Sequence, residues 1–161
     1  YVLEAMKQLV EEFPQLIYLI VGDGLEEGPL RKLAGAYGLE DKVHFLGRKS
    51  GKEVARYMAL CDIFVLPSWD EAFGVVYLEA MAQGKPVIGC LGEGIEDIVN
   101  PGIDGFLVHP RDAGELKDTI NTLLQDEKMR VQVGKEAQKK VLKKFTWAQV
   151  AEELEKIYYS A

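Results

Sequence analysis

Residues 61–90, CDIFVLPSWDEAFGVVYLEAMAQGKPVIGC, decide the architecture. Ile63 to Leu66 form a short apolar run that stops at Pro67 and reads as a buried strand. Val75 to Ala82 reads as a helix, and Pro86 to Gly89 as a second apolar strand. Strand, helix and strand in close succession form the crossover unit of a parallel sheet, whose strands are apolar on both faces.

The same alternation extends in both directions. Leu16 to Val21 is a continuous apolar run halted at Gly22-Asp-Gly24, and Lys42 to Leu46 is a shorter strand closed by Gly47. Between them Leu30, Leu33, Ala34 and Tyr37 fall at helical spacing and end at Gly38, and a further helix spans residues 52–60. The chain opens on a helix without a cap, with Leu3, Met6, Leu9, Val10 and Phe13 on one face and Pro14 as its stop. On the other side lie a helical turn near 95–99, a strand at Gly105 to Val108, and three helical patterns from Asp112 onward. Five strands interleaved with helices predict a three-layer α/β/α sandwich around a Rossmann-like, doubly wound parallel sheet. Such a unit normally opens on a strand. At least one strand is therefore expected ahead of Tyr1, and the chain reads as part of a longer protein whose sheet lacks its first strand here.

With 161 residues the chain suffices for one domain. Hydrophobic residues at 48% and charged residues at 28% describe a folded protein, and a net charge of −7 argues against nucleic acid or an anionic membrane as the main partner. Cys61 and Cys90 sit beside apolar runs and read as inert core thiols. His44 and His109 have no ligand at zinc spacing, so no metal is expected. No apolar run approaches the roughly 20 residues that span a bilayer, and no leader pattern opens the chain, so a cytoplasmic location is the default.

Ligands of open parallel sheets bind beyond the carboxyl ends of the strands. The loops to read are Gly22-Asp-Gly24, Gly47-Arg-Lys-Ser50, and Pro67 to Gly74. In the third, Gly74 precedes a helix whose free N–H groups and partial positive charge suit a phosphate. Glu71 is placed to reach sugar hydroxyls. Glu79, roughly 12 Å further along at about 1.5 Å per helical residue, suits the two donors of a vicinal diol. Glu79 lies in an otherwise apolar helix, where a core-facing carboxylate would need a partner. Two carboxylates also suit a glycosidase, a reading weakened by the small sheet fold with no long substrate cleft. The run Gly22-x-Gly24-x-x-x-Gly28 misses the dinucleotide fingerprint by one residue, and Asp23, Glu26 and Glu27 would repel a pyrophosphate. Gly22 and Gly24 serve equally well as plain turn residues, and Arg48 and Lys49 as solvated charges. Gly102 and Gly105 read as turn residues, Trp69 as a roof or a packing residue, and Trp147 as core.

The string Pro67-Ser68-x-x-Glu71-x-Phe73-Gly74-x-x-x-x-Glu79-Ala80-Met81-Ala82-x-Gly84-x-Pro86-Val87-Ile88 resembles the E-x7-E signature of retaining nucleotide-sugar glycosyltransferases of the GT-B fold, the glycosyltransferase group 1 family. Val21-Gly22-Asp23-Gly24, Gly94-Ile-Glu96, Gly102-Ile-Asp-Gly105 and Phe145-Thr-Trp147 agree in order, so the resemblance covers essentially the whole chain. It implies the C-terminal, donor-binding half of a two-domain, metal-independent hexosyltransferase with a nucleoside diphosphate sugar, such as a UDP-sugar, as donor and no separate cofactor. Glu71 would then touch the donor sugar near the reacting carbon and Glu79 the ribose hydroxyls. Backbone amides of Phe73, Gly74 and Val75 would face sugar and diphosphate, Arg48 and Lys49 would line the base, and Gly22 and Gly24 would let the chain pass the nucleotide. The family's diphosphate-binding Arg and Lys, its active-site His and its acceptor pocket have no counterpart among these residues. Lys7 lies too far inside its helix for the phosphate role. The isolated chain is accordingly expected to bind donor weakly and to transfer no sugar, and any peripheral membrane attachment falls to the absent N-terminal half. The aromatic end of the last helix, Tyr158-Tyr159, is expected to have packed on that half. Two alternatives stay open: a non-catalytic nucleotide-sugar-binding or regulatory module of the same fold, and an epimerase of the same architecture.

Overall fold

A computed structural model describes residues 1–69 and 73–159. The elements run α1 (Val2–Glu12), β1 (Tyr18–Val21), α2 (Glu27–Ala36), β2 (Val43–Gly47), α3 (Gly51–Leu60), β3 (Phe64–Val65), α4 (Val75–Ala82), β4 (Val87–Cys90), a 3-10 turn (Gly94–Asp97), β5 (Phe106–Val108), α5 (Ala113–Gln125), α6 (Glu127–Lys144) and α7 (Trp147–Tyr159). Every strand pair is parallel. The three-layer α/β/α class expected from the alternation is the class observed.

Alternation along β4 shows why the layers form. Val87 packs with Tyr77, Met81, Ile95 and Ala137 on one face, whereas Ile88 and Cys90 pack with Ala5, Leu9, Leu116 and Leu123 on the other. One outer layer therefore holds α3, α4 and α6, and the opposite layer holds α1 and α5, with α2 beside α1 over β1 and β2. All four residues of β4 are buried, as a strand covered on both faces must be.

The sheet is not continuous. β1 pairs with β2, and β3, β4 and β5 form a separate three-stranded sheet in that order. The expectation that β1 is buried on both faces is corrected here, because Leu19 is 38% exposed toward the gap beside β3. Burial nevertheless pushes the phenol of Tyr18 up to about 12.

Two other expectations change. Trp147 is 89% exposed rather than core, because α7 lies beyond the last core turn of α6 and none of its described residues is buried. Tyr158 and Tyr159 at its end are exposed too. Gly105 is a packing residue rather than a turn residue, since a Cβ there would lie 2.9 Å from Val87 Cγ2 and 3.0 Å from Val99 Cγ1. Gly102, with φ of +77°, does make the turn. The expectation for the thiols fits the geometry. Cys90 is buried, Cys61 is half-buried with its S–H donated to the carbonyl of Met58, and burial pushes both thiols up.

Helices α4 and α6 meet at Gly134, where a Cβ would fall 2.0 Å from the carbonyl oxygen of Gly84. Nearby, Gln138 Nε2 donates to the Ala82 carbonyl at 2.8 Å. Gly134→Ala is expected to force the helices apart and cost about 1–3 kcal/mol, as overpacking does. Urea unfolding measures it, and an unchanged midpoint would show that the contact yields freely.

Candidate functional site

The third loop leads into α4, and the structure explains how that helix is aimed. Tyr77 is fully buried, its hydroxyl donates to the Leu66 carbonyl at 2.5 Å, and its ring meets Phe64 edge-on at 5.9 Å. One side chain thus ties the first turn of α4 to the end of β3. Gly74 is the residue before the helix and takes a left-handed conformation, φ 71° and ψ 60°, which disfavours any side chain.

Three other helices are closed by side chains. Ser50 and Glu53 form a reciprocal capping box on α3, and the Asp112 and Asp126 carboxylates accept from the N–H groups of Glu115 and Met129 on α5 and α6. The Ser50 hydroxyl, and then its N–H, hold the Glu53 carboxyl below the usual range. Among the described residues no side chain caps α4, as none caps α1 or α2. The helix dipole and the first N–H groups of α4 face the carboxyl edge of the sheet, with the Tyr77 N–H already donated to the Gly74 carbonyl at 2.9 Å.

Glu79 is exposed on α4 rather than core-facing, so its carboxylate needs no buried partner, and it carries no ion pair among the described residues. Only four residues separate it from Val75 within the helix, about 6 Å of axial rise. Phe73 is 44% exposed and Val75 61%, while Gly74 is buried. Glu71, the predicted catalytic residue, lies outside the described residues.

The loops after β1 and β2 come together. Gly22 N–H donates to the Gly47 carbonyl at 3.0 Å, and Arg48 reaches Asp23 with Nη2 3.2 Å from Oδ1. Gly24 is exposed ahead of α2, Arg48 is exposed, and Lys49 is half-buried. Asp23, which by its charge alone would repel a pyrophosphate, pairs with Arg48. The pairing of Val21 with Gly47 in the β1–β2 register could have placed those side chains side by side.

A second cluster had no signal in the sequence. Trp69 meets the ring of Tyr1 edge-on at 5.8 Å, and the Arg111 guanidinium lies 5.4 Å from the Trp69 ring centre. Arg111 has φ of 66°, a conformation rare for a residue with a side chain. Among the described residues no three His, Cys, Asp or Glu gather as a metal site, and no helix is long and apolar enough to cross a membrane.

The family model described as "Glycosyl transferases group 1" matches residues 1–140. The chain belongs to this family. Within the glycosyl transferases group 1 family it is 35% identical over 158 residues to N-acetyl-alpha-D-glucosaminyl L-malate synthase of Bacillus anthracis, covering 98% of this chain and 41% of that protein. Its fold superposes with a TM-score of 0.90 on Anabaena Alr3699/HepE in complex with UDP, at 30% identity, over 99% of this chain and 44% of that one. The same Anabaena protein has been crystallised with UDP-glucose. The C-terminal domain of a glycosyl transferase group 1 family protein, LpcC of Francisella tularensis, shares the fold at a TM-score of 0.80 and 22% identity, over 91% of this chain and 78% of that one. The chain is thus a C-terminal GT-B glycosyltransferase domain and spans about two-fifths of the relatives it matches.

Proposed function

We propose that this chain is the donor-binding half of a retaining glycosyltransferase that moves a hexose from a nucleoside diphosphate sugar to an acceptor hydroxyl. The observation that carries the reading is the amino end of α4, which no side chain among the described residues caps, opened by a left-handed Gly74 at the carboxyl edge of a parallel sheet. Family membership and the likeness to a protein crystallised with UDP and UDP-glucose support UDP as the nucleotide.

In this reading the diphosphate lies against the N–H groups at Phe73, Gly74 and Val75. As the bond from the anomeric carbon to the diphosphate oxygen breaks, negative charge grows on that oxygen. The helix end already points positive partial charge there, so the transition state gains more than the ground state, and no divalent ion is needed. Glu79 accepts from the ribose hydroxyls, Arg48 and Lys49 line the base, and Gly22 and Gly24 let the nucleotide approach the backbone. Glu71 holds the sugar so that the acceptor hydroxyl attacks from the face the diphosphate leaves. The acceptor pocket belongs to the other half, so this chain alone transfers no sugar. The whole enzyme works in the cytoplasm, and any membrane contact is made by that other half.

Ligand-observed NMR of the chain against UDP, GDP and ADP tests the reading. Weak but selective binding of UDP is expected, and failure of the complete enzyme to bind any of the three nucleotides would overturn the reading. Glu71→Ala in the complete enzyme is expected to lower kcat on the order of 100-fold through lost positioning. Near-normal turnover would remove Glu71 from that role.

A further inference from the structure

We propose that Arg111 recognises an oxyanion, a phosphate or a carboxylate, carried by the acceptor. The inference rests on the donor-binding reading and adds a substrate class to it: the acceptor is acidic, and this half of the enzyme reads its charge.

The first support is the backbone. Among the described residues Arg111, at φ of 66°, is the one residue with a side chain in the left-handed region, and the rest are glycines. Glycine would make the same turn without strain, and strain of this kind persists only where the surroundings over-determine it. The loop does so on both sides. The Glu115 carboxylate accepts from the His109 N–H at 2.6 Å and lies 2.9 Å from its ring Nδ1. The Asp112 N–H donates to the His109 carbonyl at 3.3 Å, and the Asp112 carboxylate accepts from the Glu115 N–H at 2.8 Å. The guanidinium is thus aimed before a ligand arrives, which lowers the cost of ordering it on binding.

The second support is what the side chain meets. The guanidinium lies over the Trp69 ring at 5.4 Å from its centre, and that ring is held edge-on by Tyr1. A guanidinium resting on an aromatic face keeps its N–H fork available, and that fork matches a carboxylate or phosphate in bidentate fashion. Arg31, Arg48 and Arg130 each meet a carboxylate, whereas among the described residues Arg111 meets none and is exposed. The chain's net charge of −7 repels acidic ligands, so a fixed local cation decides whether one is admitted.

Position selects the acceptor over the donor. Trp69 follows β3 and Arg111 follows β5, so both stand at the carboxyl edge of the sheet. Arg111 leads into α5, which packs on α1 through Leu116 and Ile120 against Ala5 and Leu9, and α4 lies in the opposite layer. The donor's phosphates, assigned to the amino end of α4, are therefore answered from one side of the edge, and Arg111 stands on the other. A second negative charge fits that cation, and the acceptor is the substrate left to supply it. Trp69 also lies just ahead of Glu71, the residue assigned to the sugar, and the acceptor hydroxyl must come to that sugar.

Fluorine NMR of the complete enzyme carrying fluorinated tryptophan tests this, the Trp69 signal being the one lost in Trp69→Phe. With UDP saturating, sodium phosphate and sodium malonate are titrated against sodium chloride at constant ionic strength. At least one of the two should move the Trp69 signal saturably, and the anion that acts at lower concentration names the charged group. Arg111→Lys should weaken that response about 10-fold, since an ammonium lacks the planar fork, and Arg111→Gly should abolish it. Both variants should hold UDP within about 2-fold of wild type by calorimetry, because α4 and not Arg111 meets the donor's phosphates. Arg111→Gly suits the left-handed backbone and should unfold in urea no earlier than wild type. No response beyond that of chloride, or a response that survives Arg111→Gly, would overturn the proposal and leave the donor reading standing. A loss of UDP affinity of about 10-fold or more in Arg111→Gly would also overturn it, by assigning Arg111 to the donor's phosphate. A wild-type enzyme that binds no UDP would overturn the donor reading and the acceptor assignment with it.

Discussion

Asp104→Ala is expected to destabilise the domain by about 3–5 kcal/mol, the cost of leaving one partner of a buried ion pair unpaired. Asp104 is the one charged residue among the buried described positions, and its side chain is only 4% exposed against 14% for Lys140. The two meet at 2.5 Å. The remaining capacity of each is used. Asp104 accepts from the Asn100 backbone N–H at 2.7 Å and from Asn100 Nδ2 at 3.3 Å, while Lys140 donates to the Ile98 carbonyl at 2.6 Å. Truncating Asp104 strands an ammonium and a backbone donor together in a low-dielectric site. Removing both charges, as Asp104→Ala with Lys140→Met, should recover a good part of the loss, because desolvation is then no longer charged to either ion. Urea unfolding of the three variants at neutral pH measures this. A single-mutant loss below about 1 kcal/mol would show that the pair is hydrated and behaves as a surface bridge.

Glu79→Ala is expected to weaken nucleotide binding on the order of 100- to 1,000-fold. Two hydrogen bonds to a carboxylate are worth about 1.5–3 kcal/mol each, and hydration of the exposed group offsets part of the sum. Because Glu79 is exposed on α4 and the buried face of that helix is made by Tyr77, Ala80 and Met81, folding should be untouched. Titration calorimetry with UDP and with 2′-deoxy-UDP separates the roles. Wild type should discriminate between the two nucleotides, and the variant should bind both equally weakly. Retained discrimination in Glu79→Ala would assign the ribose hydroxyls to another group.

Much of this molecule is legible locally. The alternation of apolar runs with helical spacing predicts each strand and helix observed, because burial on both faces of a parallel strand leaves a signature few residues long. The special turn at Gly74 is legible as well, since a glycine directly before a helix in a strand-helix loop marks a close approach. What escaped was the environment of individual side chains. Glu79 stands in an apolar stretch yet faces solvent, and Trp147 looks like core yet is exposed, since each depends on what packs against its helix.

The amino-acid sequence by itself determined the α/β class, the order of elements, the family resemblance and the loops that form the carboxyl edge of the sheet. Tertiary structure alone decided that Asp104 meets Lys140 across 36 positions, that Asp23 steadies Arg48, that Arg111 and Tyr1 flank Trp69, and that β1 and β3 stand apart. The physical reason is range. Hydrophobic period, capping and turn chemistry act over a few residues and are written along the chain, whereas ion pairs, ring contacts and strand neighbours depend on distances that exist only once the layers have packed.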